Sequence, residues 1–218
     1  MAPTALIVLL LATFLLGSIP FGLIISKLFF KKDIREEGSG NIGTTNAMRS
    51  LGKVGGGAVF VLDFGKGVLS GVLGAVVGAY LATEGVAEVA GCASLSLCLA
   101  LSFFGCVFGH IYSPWLKFHG GKGIAVAVGA LFVVFGVFGA VLELAIFAVL
   151  VLLTRYVSVG SIAAACACPF FAAYYYWNDW LAWALITIAA LNVVFAHREN
   201  IKRLMGHCEN RIGSKKER

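Results

Sequence analysis

Residues 124–153 read IAVAVGALFVVFGVFGAVLELAIFAVLVLL, an apolar run interrupted only by Glu143, and how it is parsed decides the fold. As one helix it would rise about 45 Å, too long for a straight crossing of a hydrocarbon core of about 30 Å. It is slightly short for two full crossings. Gly136 and Gly139 offer a turn near its middle, with Glu143 just beyond, so the run reads as a hairpin of two short helices.

That reading orients everything around it. Upstream lie three apolar spans at residues 4–30, 54–82 and 89–112, the first carrying Ser18 and Pro20, where a kink or break is expected. Downstream, residues 157–176 and 180–196 make two more, with Trp177, Trp180 and Trp183 placed as an interfacial aromatic belt. Lys27, Lys31, Lys32 and Arg35 follow the first span, Lys117 and Lys122 the third, Arg155 the hairpin, and a basic tail starts at His197 and Arg198. With the hairpin, all 17 Lys and Arg residues fall on or near one side, read as cytosolic, while Glu84, Glu88, Glu143 and Asp179 fall on the other. A single long helix over residues 124–153 would instead place Arg155 and the basic tail outside. The expected fold is an all-α integral membrane protein of seven transmembrane helices, two of them short. Its N-terminus faces out, its C-terminus lies in the cytosol, and residues 1–218 form one membrane-embedded domain.

Composition agrees. Hydrophobic residues make up 60% of the chain, charged residues 13%, and the mean hydropathy is +0.92, far from a soluble domain. Seven spans leave no room for a separate soluble domain. The first span has no Lys or Arg ahead of it and no persuasive cleavage site, so it reads as a retained helix. Six cysteines, at 92, 98, 106, 166, 168 and 208, form no CxxC, and all but Cys208 lie in apolar stretches. They read as small buried hydrophobes, not as redox or metal groups. The net charge of +6 is gathered on one membrane side, which suits anionic headgroups and gives nucleic acid no support.

The polar motifs collect on the same side. Residues 38–46, GSGNIGTTN, form a loop of Gly38, Ser39, Gly40, Asn41, Ile42, Gly43, Thr44, Thr45 and Asn46 ahead of a helix-capable stretch carrying Arg49. Small flexible residues at a helix start offer backbone N–H groups to an anion, and Arg49 adds a guanidinium fork. Gly120, Gly121, Lys122 and Gly123 repeat the pattern, a glycine loop running into a helix with a lysine point charge; the Walker A spacing is missing, so nucleotide binding has no support. Each loop alone also fits a plain connection between helices. His110 closes the third span, and His197, Asn200 and Leu204 share one face of a terminal basic helix whose Arg198, Lys202 and Arg203 suit a lipid surface. Asp63 and Lys66, three apart in the second span, suit either a functional site or a lateral ion pair. No nucleophile elbow, paired carboxylates or metal cluster appears, so any enzyme chemistry is positional and electrostatic, on an activated substrate.

In order along the chain, GSGNIGTTN with Arg49, Asp63 with Lys66 and Gly67, His110 with residues 120–123, and HRENIKRL at 197–204 with Glu209 resemble the bacterial acyl-phosphate-dependent glycerol-3-phosphate acyltransferases, the PlsY family. The resemblance runs from Ser18 and Pro20 to the tail. It implies a bacterial inner-membrane enzyme with its active site at the cytosolic face. Such an enzyme moves a fatty acyl group from acyl phosphate to the sn-1 hydroxyl of glycerol-3-phosphate and releases lysophosphatidic acid and phosphate. It implies Ser39, Arg49, Lys122, His197 and Asn200 as catalytic residues, with Gly38, Gly40, Asn41, Gly43, Thr45, Asn46, Lys66, His110, Gly120, Gly121, Gly123 and Glu209 around the phosphates. His197 is either a proton acceptor or an orienting group. No cofactor, metal or obligate protein partner is implied. Ile42 and Thr44 stand where the family motif usually has proline and alanine, and Gly206 and His207 are shifted against Glu209. The competing class is a transporter of a phosphorylated anion, which internal repeats and a mid-membrane site would favour; the sequence shows no repeat.

Overall fold

The computed structural model describes residues 2–213; the tail residues Lys215, Lys216 and Arg218 lie outside them. The chain is a helical bundle of α1 (Ala2–Ser18), α2 (Phe21–Phe30), α3 (Thr44–Ser50), α4 (Gly52–Thr83), α5 (Ser94–Ile111), α6 (Ile124–Val134), α7 (Gly136–Thr154), α8 (Val157–Tyr175), α9 (Trp180–Ala196) and α10 (Arg198–Met205). A two-residue antiparallel pair, β1 (Glu88–Val89) with β2 (Cys92–Ala93), precedes α5. The third apolar span therefore begins at Ser94, not at residue 89; the left-handed backbone at Ala90 and Gly91 turns the chain before the helix starts.

Among the described residues five helical segments are long and apolar enough to cross a membrane: Ala2–Phe30, Gly52–Thr83, Ser94–Leu116, Gly136–Thr154 and Val157–Tyr175. Trp180–Ala196 joins them if counted with Arg198–Met205 across a 49° bend, and Ile124–Val134 is a shorter apolar helix. The chain is thus a multi-pass membrane protein. The run at 124–153 does break in two. The break falls at Phe135 and Gly136, whose φ of +69 suits glycine, while Gly139 sits inside α7 with the Phe135 Cβ and the Tyr175 ring over the space its missing Cβ leaves. The Tyr176 hydroxyl donates to the Val134 carbonyl at 2.6 Å and closes the end of α6. Glu143 is not in an outer turn. It lies within α7 and is buried between helices.

The expected break in the first span is at Ile19 and Pro20. Proline cannot donate to the preceding turn, so carbonyls there lose their helical partners, which at bilayer depth is costly. The bundle supplies replacements: Ser113 Oγ donates to the Ser18 carbonyl at 2.7 Å, and Lys66 Nζ donates to the Ile19 carbonyl at 2.7 Å. Lys66 also stands 2.8 Å from Asp63 Oδ1, an ion pair whose two members are almost wholly buried. The lateral-pair reading of Asp63 and Lys66 thus has a use, since it neutralises the cation that stitches α4 to the broken first span.

Helix contacts are built on small residues. A Cβ on Gly17 would run into the Cys106 backbone of α5, and one on Gly129 into the Phe64 carbonyl of α4, so α1 lies close on α5 and α4 on α6. The main core joins α5, α6, α8 and α9 around Phe103, Val107, Val126, Ala172 and Ile186. Cys92, Cys98, Cys106 and Cys168 are buried as expected; Cys166 faces outward from α8 instead. At one end the β-pair is tied to the α8–α9 turn by the Ala93 amide donating to Asp179 Oδ1 at 2.8 Å. At the opposite end meet α2, α3, the α5–α6 loop, the α7–α8 junction and α10.

Candidate active site

The loop 38–46 is held by one side chain. Asn46, only 2% exposed, accepts the Ser39 amide on Oδ1 at 2.9 Å, and its Nδ2 donates to the carbonyls of Ile34 at 3.2 Å, Glu37 at 2.9 Å and Asn41 at 2.9 Å. Asn41 Oδ1 in turn accepts the Gly43 amide at 2.9 Å. Gly38, with φ +60, passes against Asn46 where a side chain could not fit. The loop is therefore a rigid shelf that delivers Ser39, Thr44, Thr45 and Arg49 to one wall. An Asn46→Ala variant would strand the buried Ile34 carbonyl, at a cost of about 1–3 kcal/mol, and three partly buried backbone groups. It is expected to keep the bundle, open residues 38–46 to limited proteolysis, and lower activity about 100-fold through misplacement of Ser39 and Arg49.

The second loop is pinned by the end of α5. The Gly120 amide donates to the Ile111 carbonyl at 2.9 Å and the Gly121 amide to the His110 carbonyl at 3.0 Å. Side chains at Gly120 or Gly121 would collide with that carbonyl or with the His110 ring. His110 Nδ1 lies 3.8 Å from Asp63 Oδ1, so the imidazole is a wedge between α4 and the lysine loop. Gly123, at φ +85, turns the chain into α6 and leaves Lys122 facing the interior.

The third piece comes from the 49° bend between α9 and α10. Buried His197 sits in the bend and its Nδ1 bonds to the Val193 carbonyl at 2.8 Å. A carbonyl only accepts, so Nδ1 carries the proton and Nε2 keeps its lone pair. Glu209 ties the tail back onto the bundle: its Oε1 accepts from Asn200 Nδ2 at 2.9 Å and Ser158 Oγ at 3.2 Å, and its Oε2 accepts from Arg203 Nε at 2.7 Å. Against the burial that would raise it, these partners hold the Glu209 carboxyl below the usual range. Arg203, read from sequence as a lipid-facing cation, instead points inward with Asn200 three residues before it.

All three pieces line one cleft of about 1170 Å³. Its polar end carries Gly38, Ser39, Asn41, Gly43, Thr45, Asn46, Arg49, His110, Lys122, Gly123, His197, Asn200 and Glu209. Gly40, Lys66, Gly120 and Gly121 stand off the cleft wall; the glycines shape the loops behind it, and the Lys66 ammonium is engaged by Asp63 and Ile19. Sequence reasoning left out Thr44, Ser158, Arg203 and Arg211, all on the wall. Thr44 Oγ1 and Asn200 Oδ1 are buried polar atoms with no hydrogen-bond partner in the protein, as expected of groups that meet a ligand. The other limb of the cleft is apolar, running through Phe60, Phe64, Val128, Phe132, Leu144, Phe147 and Val151 between α4, α6 and α7.

Electrostatics link the pieces. Burial, then the positive field of Arg203, lowers the Lys122 ammonium to about 8; Glu209 opposes this and Arg49 adds to it. Burial likewise lowers His197 to about 4, with Lys122 adding to the fall and the Val193 carbonyl and Glu209 resisting it, so the imidazole is neutral at pH 7. The site is a cationic pocket around a neutral acceptor, suited to anions that carry a hydroxyl. Lys122 is charged below about pH 8 and loses its proton as the pH rises through that value. Titration calorimetry is therefore expected to show full affinity for a phosphate monoester at pH 7, weakening toward tenfold per pH unit above about 8 with proton uptake on binding. Lys122→Arg should flatten that limb, because a guanidinium stays charged.

The chain matches a family model described as glycerol-3-phosphate acyltransferase over residues 7–207. A glycerol-3-phosphate acyltransferase of Bradyrhizobium diazoefficiens is 38% identical over 214 residues, covering 98% of this chain and 96% of that one. One from Carboxydothermus hydrogenoformans is 38% identical over 206 residues, covering 94% and 96%. Two crystal structures share the fold, both of PlsY (YgiH), an integral membrane glycerol 3-phosphate acyltransferase. Its glycerol 3-phosphate form aligns with a TM-score of 0.78 at 31% identity over 95% of this chain and 96% of that chain. Its lysophosphatidic acid form aligns at 0.74 and 30% identity over 95% of each.

Proposed function

This chain belongs to the glycerol-3-phosphate acyltransferase family, and from that premise we propose that it transfers a fatty acyl group from acyl phosphate to the sn-1 hydroxyl of glycerol-3-phosphate. The products are lysophosphatidic acid and phosphate, in the first acylation of phospholipid synthesis, with no acyl-enzyme. The observation that carries the reading is the two-limbed cleft, cationic at one end and apolar at the other. A reaction between two phosphate compounds, one water-soluble and one with a fatty tail, needs that division.

In this mechanism the Gly120–Gly123 loop and Lys122 hold one phosphate, while Ser39, Arg49 and the loop amides around Thr44 and Thr45 hold the other and the oxyanion that develops on the acyl carbonyl. His197 Nε2 accepts a hydrogen bond from the sn-1 hydroxyl and aims its oxygen at the carbonyl carbon; Asn200 orients the glycerol. A histidine lowered to about 4 is a weak base, so it positions the hydroxyl, and the departing phosphate takes the proton as the C–O bond to it breaks. Acyl phosphate is already activated, and a protein nucleophile is unnecessary. Lys27, Lys31, Lys32, Arg35, Arg155 and α10 gather at the cleft end, whereas Glu84, Glu88 and Asp179 lie at the far end. The positive-inside rule supports a cytosolic cleft and an external N-terminus, and the family relation supports seven crossings of the bacterial inner membrane. No protein partner or cofactor enters the scheme.

Purified protein in detergent, given acyl phosphate and glycerol-3-phosphate, should form lysophosphatidic acid and release phosphate, while acyl-CoA in its place should give no product. Equal turnover with acyl-CoA would overturn the donor assignment.

A further inference from the structure

The apolar limb of the cleft descends along α7 through Val151, Phe147 and Leu144, about a turn apart, and so reaches roughly 10 Å inward from the phosphate end. Behind it lies a separate recess of about 40 Å³. Ile124, Val128, Leu144, Phe147 and Ser161 line both spaces, so the partition between them is one side chain thick. Across the recess stand Glu143 and Cys168 among the small side chains of Ala140, Ala164 and Ala165. By volume it takes roughly two or three water-sized groups.

Glu143 is 4% exposed; its Oε1 has no hydrogen-bond partner in the protein, and the Cys168 thiol bonds to the carboxyl group. A carboxyl group inside a spanning helix is costly, and an apolar residue of similar size would fill the same space. The chemistry at the phosphates does not use it, because the partition stands between them. Its position beyond the apolar limb of the cleft is what requires a purpose.

We propose that the recess is the terminal part of the acyl-chain subsite and that Glu143 determines the chain length accepted. This rests on the acyltransferase reading and adds a specificity residue to it. A chain short enough to end at the partition packs only on apolar side chains. A longer one displaces the partition and lays its methyl end against a buried carboxyl whose neighbouring donor is the weak Cys168 thiol. Discrimination comes from penalising the wrong ligand, a stronger device than improving the fit of the right one.

The test uses full-length protein in detergent and acyl phosphates lengthened in two-carbon steps, with kcat/KM for glycerol-3-phosphate acylation measured for each. Glu143→Ala removes the carboxyl and deepens the recess; the ratio of long-chain to short-chain kcat/KM should rise on the order of tenfold. Ala164→Leu fills the recess from the opposite wall and should lower that ratio by a similar factor, and it decides the matter alone if Glu143→Ala does not fold. Unchanged chain-length profiles overturn the inference and leave the acyltransferase function standing. Absence of acyl transfer by the unmodified protein with every donor overturns that function, and the subsite with it.

Discussion

Lys122→Ala is expected to lower kcat/KM for acyl transfer by about 1000-fold or more, some 4 kcal/mol of transition-state stabilisation. Lys122 reaches the cleft from a loop whose glycines are packed onto α5 so closely that it cannot relax toward another position. It feels Arg49 of the first motif and Arg203 and Glu209 of the tail, so its ammonium is where the cationic pieces converge. A phosphate dianion bound without it lies in a half-buried site short of one positive charge, and the leaving group loses the partner that stabilises its growing charge. Stability should not fall, since removing a desolvated cation from among other cations relieves repulsion. The measurement is phosphate release from acyl phosphate and glycerol-3-phosphate, alongside thermal unfolding in detergent. Wild-type turnover in Lys122→Ala, or in Arg49→Ala, would remove the phosphate-clamp assignment.

Asp63→Ala should act through the fold. It leaves the Lys66 ammonium buried against the Ile19 carbonyl and the Phe21 ring, an uncompensated charge whose cost is about 3–5 kcal/mol. It also frees the His110 ring, which wedges the lysine loop in place. The expected result is a marked loss of thermal stability together with loss of activity. Replacing both partners, Asp63→Leu with Lys66→Met, removes the unpaired charge and should restore most of the stability, with the Ile19 carbonyl at the helix break left to the Phe21 amide at 3.1 Å. If Asp63→Ala unfolds at the wild-type temperature, the pair does not hold the broken span.

Periodicity and charge made much of this legible without coordinates. Pro20 announced the break in the first span because a missing amide acts locally, and Gly136 announced the break between α6 and α7 because a left-handed turn needs glycine. The two glycine loops and His197 with Asn200 were visible as residue types that carry phosphate chemistry, and the family resemblance tied them together. Glu143 was misplaced because hydropathy treats any acid beside a turn as solvent-facing, whereas the helix continues through it and buries it against α8. Arg203 was assigned to lipid because composition cannot show which side of a short basic helix meets the tail; only Glu209 folding back settles it. Thr44 escaped notice because a threonine in a polar loop has no signature until its hydroxyl is found buried and unpartnered.

The sequence by itself determined that this is a membrane-embedded helical protein whose basic, glycine-rich motifs share one side, because hydrophobic run length and charge placement are set residue by residue against a bilayer of fixed thickness. Tertiary structure alone decided that three motifs far apart in the chain wall a single cleft, that Lys66 stitches a broken helix rather than lining that cleft, and that a carboxyl group stands behind the apolar limb. Those are properties of long-range contacts, made by helices that meet through glycines, and no local pattern encodes which side chain of one helix faces which side chain of another.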